Sequence, residues 1–179
     1  MSKHEKTQTG ACFIQLVIAS RRPAASAAPV VEALKPHLND DLRLILACGG
    51  EYEGEAPDFG RHVRVAYFPG ASVFHQRARL PFLVGDGAWV VILDDSNSAP
   101  ADWAAKLTKT LRNAGDDVTA VIGATSNLVS RDAWSWAHFL NVLAFHWAPV
   151  PLLTHTLLPV SASTAWRKAH TNGQMLAPK

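Results

Sequence analysis

Ala88-Trp89-Val90-Val91-Ile92-Leu93-Asp94-Asp95-Ser96-Asn97 is the stretch whose reading decides the fold. An uncharged apolar run with β-branched members at its centre matches a strand buried on both faces, and the carboxylates that follow mark where it emerges. In an open α/β sheet the crevice beyond the carboxyl ends of the strands takes the ligand, so Asp94 and Asp95 are the first candidate site residues. Adjacent carboxylates repel at neutral pH, and a hard divalent cation bridging to substrate phosphates would relieve that repulsion. Asp95, Ser96 and Asn97 are equally good strand-ending and helix-capping residues, and the stretch alone leaves both readings open.

Outward from this run the rhythm of strand and helix is regular. Upstream, Cys12-Phe13-Ile14-Gln15-Leu16-Val17-Ile18-Ala19 reads as a first strand that stops at Ser20-Arg21-Arg22-Pro23. An alanine-rich helix is predicted over 24–38, with Pro29 tolerable only near its first turn. Leu42-Arg43-Leu44-Ile45-Leu46-Ala47-Cys48 is a second strand, followed by Gly49-Gly50 and an acidic loop carrying Glu51, Glu53 and Glu55. His62-Val63-Arg64-Val65-Ala66-Tyr67-Phe68 alternates as a third strand, closed by Pro69-Gly70. A helix with His75, Arg77 and Arg79 is predicted over 71–84, with Pro81 as a break. Downstream, Pro100-Ala101-Asp102-Trp103 opens a helix that runs to about Asn113, and Val118-Thr119-Ala120-Val121-Ile122-Gly123 returns as a strand. Repeated crossovers of this kind predict an α/β three-layer sandwich: a mostly parallel, Rossmann-like sheet with helices on both faces.

Composition bounds the rest. With 179 residues, 18% charged and 48% hydrophobic, and a formal net charge of +2, the chain predicts one globular domain over 11–179 and no nucleic-acid partner. Residues 1–10 are polar and lack the apolar core of a signal peptide, which predicts a disordered tail on a cytoplasmic protein. Cys12 and Cys48 lie in apolar runs and are expected as buried free thiols. From 133 to 166 no Lys, Arg, Asp or Glu occurs, while Trp134, Trp136, Phe139, Phe145 and Trp147 do. His138, Asn141, His146, Pro149, Pro151, His155 and Pro159 break this run, unlike the ~20 continuous apolar residues of a membrane span. It is expected to be buried as core or subunit interface, or to dock through 134–153 on a membrane surface or a homo-oligomer partner, peripheral to the membrane in the first case.

Taken together, the strand ending in Ser-Arg-Arg-Pro, the second strand ending in Gly-Gly, the Tyr67-Phe68-Pro69-Gly70-Ala71-Ser72 segment, and the Leu93-Asp94-Asp95 run with Pro100-Ala101-Asp102-Trp103 after it resemble the nucleotide-sugar half of a family 2, GT-A type glycosyltransferase. The resemblance covers about residues 12–172 and is most specific at 77–103. It implies a glycosyltransferase moving a sugar from a nucleoside-diphosphate sugar to an acceptor hydroxyl, commonly in cell-envelope polysaccharide synthesis. Asp94 and Asp95 then correspond to the first two positions of the metal-binding Asp-x-Asp signature, implying Mn²⁺ or Mg²⁺; Ser96 stands where the last acid is usual. Ser20, Arg21 and Arg22 match the nucleotide-contacting loop, and Arg77 or Arg79 the family's arginine beside it. Where relatives carry an aspartate after the second strand, this chain has Ala47-Cys48-Gly49-Gly50.

The catalytic residue stays unknown. An inverting transferase needs a base for the acceptor proton, and the last acidic residue is Asp132. His138, His146, His155 or His170 could serve, another chain could complete the site, or the chain could be an inactive GT-A-like domain acting as a nucleotide-binding or protein-interaction module. His138 and His146 are too far apart in sequence for a zinc pair on a helix.

Overall fold

The computed structural model describes residues 13–49, 57–79, 84, 89–95, 99–118, 120–123, 132–134, 136–137 and 164–167. Six strands form one sheet: β1 (Ile14–Ser20), β2 (Leu42–Cys48), β3 (Val63–Tyr67), β4 (Trp89–Leu93), β5 (Ala120–Ile122) and β6 (Thr164–Arg167). Their order is β3-β2-β1-β4-β6-β5. The first four are mutually parallel, and β6 runs antiparallel to both β4 and β5. The α/β class read from the sequence is therefore the observed one, and the Ala88–Asn97 run does hold a central strand, flanked by β1 and β6.

Burial follows from composition. Every residue of β1 and of β4 is buried, because both strands are apolar at nearly every position and have neighbours on both sides. β3 is an edge strand, alternates, and is only half-buried. On one side of the sheet Ile14, Leu16 and Ile18 pack with Leu42, Leu44, Leu46, Trp89, Val91 and Leu93 beneath α1 (Ala28–Leu34) and α3 (Trp103–Arg112), through Val31, Leu34 and Leu111. The alternate residues Val17, Ile45, Ala47 and Val90 form a second core on the opposite side with Val84, against which Phe68 packs. The one polar side chain in that row of β1, Gln15, is satisfied by donating from Nε2 to the carbonyls of Arg43 and Leu16. α2 (Val73–Arg79) sits near the carboxyl ends of the strands.

The segment over 24–38 is not one continuous helix. It splits into a 3₁₀ turn (Ala24–Ala27), α1, and a second 3₁₀ turn (Lys35–His37). Pro29 falls in the first turn of α1, where its missing N–H costs nothing, but Pro36 cannot donate to the carbonyl four residues back and ends the α-helix at Leu34. Asn39 then starts the next strand, its Oδ1 accepting from the backbone N–H groups of Asp41 and Leu42. α2 is shorter than the 71–84 reading, and 80–83 lie outside the described residues.

The sequence reading did not assign a strand to 164–167. β6 slots between β4 and β5, where Arg167 fastens it. Its guanidinium lies 4.8 Å from the centroid of the Trp89 ring, and it donates to Asp116 Oδ1 and to the carbonyls of Ala114 and Gly115.

Most of the aromatic-rich run, the 1–10 tail, Cys12, the 51–56 loop and the four candidate histidines lie outside the described residues. Within the run, Trp134 is 85% exposed and so lies outside the core of this chain. Among the described residues no helix is long and apolar enough to cross a membrane.

Candidate functional site

The strand order places the site. From β1 the chain moves outward through β2 to β3, then returns to lay β4 on the other side of β1. At such a switch point the loops leaving the two central strands diverge and open a crevice at their carboxyl ends. Here those loops are Ser20 to Pro23 and Asp94 onward, and between them lies a cleft of about 320 Å³ lined by Ala19, Arg21, Arg22, Val73, Asp94 and Asp95. That volume is at the small end for ligand sites, suited to a charged group rather than to a whole substrate. A larger groove of about 530 Å³ lies along α3 and Leu42, on a surface with none of these charges converging.

Alternation along the chain separates the two aspartates. Successive residues leaving a strand point to opposite sides, and each carboxylate finds its own partner. Asp94 accepts from Arg77 of α2 at 2.6 Å, and Asp95 accepts from the Ser20 hydroxyl of β1 at 2.8 Å. The Ser20 oxygen in turn accepts from the Arg22 backbone N–H, shaping the turn that presents Arg21 and Arg22 to the cleft. Arg77 is almost fully buried while Asp94 is partly exposed, so their charge-assisted bond is shielded from water on the guanidinium side.

Of the residues singled out from sequence, Ser20, Arg21, Arg22, Arg77, Asp94 and Asp95 are brought together. Arg79 is not: its guanidinium lies over the Phe68 ring, 5.6 Å from the centroid, and does not line the cleft. The helical spacing explains the division, since residues two apart on a helix face different ways. Ser96 and Asn97 lie outside the described residues.

Two residues that sequence reasoning passed over hold the site together. Gln76, fully buried, donates from Nε2 to the carbonyls of Ser20 and Ala71, tying α2 to the end of β1. Gly49 lies directly under that amide: its N–H donates to the Ser20 carbonyl, and its own carbonyl accepts from Gly70. The Gly-Gly that ends β2 carried the signal, because glycine after a strand marks a close approach of backbone or side chain. Next to it, burial pushes the Cys48 thiol up to about 11, which removes it as a nucleophile at neutral pH.

The donor set suits a divalent cation poorly in this arrangement. Three guanidinium groups stand against two carboxylates, and Asp94 is already held by one of them. Among the described residues no group of three His, Cys, Asp or Glu side chains is placed to hold a metal. An anion with several oxygens matches the cleft better, since Arg21 and Arg22 offer ten N–H donors and, among the described residues, the acids lining the cleft are Asp94 and Asp95. Compared with known proteins, the chain matches no family model and no curated protein.

Proposed function

We propose that the cleft between the ends of β1 and β4 binds the diphosphate of a nucleoside-diphosphate sugar, and that the chain is a glycosyltransferase domain of the GT-A type passing that sugar to an acceptor hydroxyl. The single observation that carries this reading is the meeting of Arg21, Arg22, Asp94 and Asp95 in one cleft at the switch point of the sheet. In the reaction the acceptor oxygen bonds to the anomeric carbon, the bond from that carbon to the diphosphate oxygen breaks, and the hydroxyl proton passes to a base. Charge builds on the departing diphosphate, and guanidinium groups held ready beside it stabilise that charge without reorganising. Gln76 and Ser20 are positioning residues, fixing α2 and the arginine-bearing turn against the end of β1.

A second reading has its own observation. Asp94 is bonded to Arg77 and Asp95 to Ser20, which fits a domain that binds a nucleotide without turning it over. Calorimetry of UDP and GDP binding to the full chain in buffer containing Mn²⁺ tests both against no site at all. Binding that Arg21→Gln with Arg22→Gln weakens at least about tenfold supports the donor site. Release of UDP or GDP from the corresponding nucleotide sugars then separates enzyme from binding module. A folded protein that binds neither nucleotide refutes both readings.

A further inference from the structure

The cleft carries its own counter-cation. Asp94, which would be the first metal ligand by resemblance, is bonded at 2.6 Å to Arg77, and the Arg77 side chain is 11% exposed against 42% for Asp94. The guanidinium is thus locked below the carboxylate, while the carboxylate fronts the cleft. Asp95 accepts from the Ser20 hydroxyl instead, so each of the two acids lining the cleft has a hydrogen-bond donor of its own. With Asp94 neutralised, the charged groups facing the cleft among the described residues are Arg21, Arg22 and Asp95, which leaves one positive charge. Such a surface attracts a diphosphate directly and gains little from a divalent ion, which would meet a net positive field and an already occupied carboxylate.

We propose that this cleft binds its diphosphate ligand independently of a divalent metal, with Arg77 permanently neutralising Asp94 and with Arg21 and Arg22 taking the phosphate oxygens. The inference rests on a diphosphate occupying the cleft, but not on sugar transfer. The probes are inorganic pyrophosphate and UDP, titrated into the full chain by calorimetry, once in EDTA and once in Mg²⁺. Wild-type affinity for both should agree within about threefold between the two buffers, a difference of less than about 1 kcal/mol. Asp94→Asn removes a metal ligand but also a negative charge, so binding in EDTA is expected to hold or to tighten. Arg21→Gln with Arg22→Gln, both exposed, should weaken binding in EDTA about tenfold or more.

Arg77→Gln supplies the opposite signature if it folds: Asp94 is unmasked, affinity in EDTA falls, and Mg²⁺ restores part of it. Wild-type binding that is about tenfold weaker in EDTA than in Mg²⁺, or that Asp94→Asn abolishes, overturns the inference while leaving the donor site standing. Pyrophosphate binding in EDTA with UDP bound no more tightly upholds the inference and removes the reading of the cleft as a site for a UDP-sugar. Binding of neither probe in either buffer overturns both.

Discussion

Gly49→Ala is expected to be among the most damaging small substitutions in the chain, for reasons of space rather than backbone conformation. A Cβ at Gly49 would lie 2.7 Å from the Ala71 carbonyl oxygen and press on Gln76 Nε2. The amide has no room to yield, because it is buried and already bonded to the carbonyls of Ser20 and Ala71. Overpacking of this kind costs about 1–3 kcal/mol, and losing the two Gln76 hydrogen bonds adds about 1 kcal/mol each. The total is about 3–5 kcal/mol, which for a chain of this length lowers Tm by about 10 °C. Urea unfolding followed by circular dichroism measures it. Gly70→Ala provides the contrast: nothing lies within 4 Å of the added Cβ, and only the positive φ of 70° opposes it, at about 1–2 kcal/mol. In a Gln76→Ala background, Gly49→Ala should cost about 1–2 kcal/mol less than alone, since only the backbone clash remains. A loss below about 1 kcal/mol for Gly49→Ala, or strict additivity in the cycle, would refute the account of how α2 is anchored over the site.

Two further outcomes test the frame around the cleft. The Cys48 thiol should resist a thiol-specific reagent in the native protein at pH 8 and react on unfolding; because burial raises its folded value from 9.0 to about 11, its contribution to stability is complete below pH 9.0 and is lost as pH rises from there toward 11, so unfolding midpoints measured at pH 8 and pH 10 should fall in that order. Arg167→Lys should destabilise by about 1–2 kcal/mol in the same unfolding assay, because a lysine cannot stack on Trp89 while bonding the Ala114 and Gly115 carbonyls, whereas Asp116→Ala, which removes only a fully exposed partner, should change stability by less than about 0.5 kcal/mol.

The four parallel strands were legible because each is a local pattern. Apolar runs at Ile14–Ser20, Leu42–Cys48 and Trp89–Leu93, broken inside only by Gln15 and Arg43, announce strands buried on two faces, and the proline, glycine and charged residues between them mark the exits. The same locality put Arg21, Arg22, Asp94 and Asp95 at carboxyl ends, where a sheet of this class opens. Helix continuity over 24–38 was misread because a favourable alanine-rich average concealed one proline, and the hydrogen bond it removes is decided residue by residue. β6 was missed because a four-residue strand carries too little pattern of its own; it is fixed by pairing with β4 and β5, both distant in sequence.

Pairing was also beyond the sequence at the site. Composition and spacing determined that two arginines and two acids would gather at one end of the sheet. Only the tertiary structure decided that Arg77 rather than Arg79 meets Asp94, that Asp95 turns to Ser20, and that Gln76 crosses Gly49 to hold α2 in place. The physical reason is that strand and helix formation depend on neighbours along the chain, whereas a salt bridge or a close backbone approach depends on how separate elements are packed, and a single residue's rotation on its helix sends its charge to a different partner.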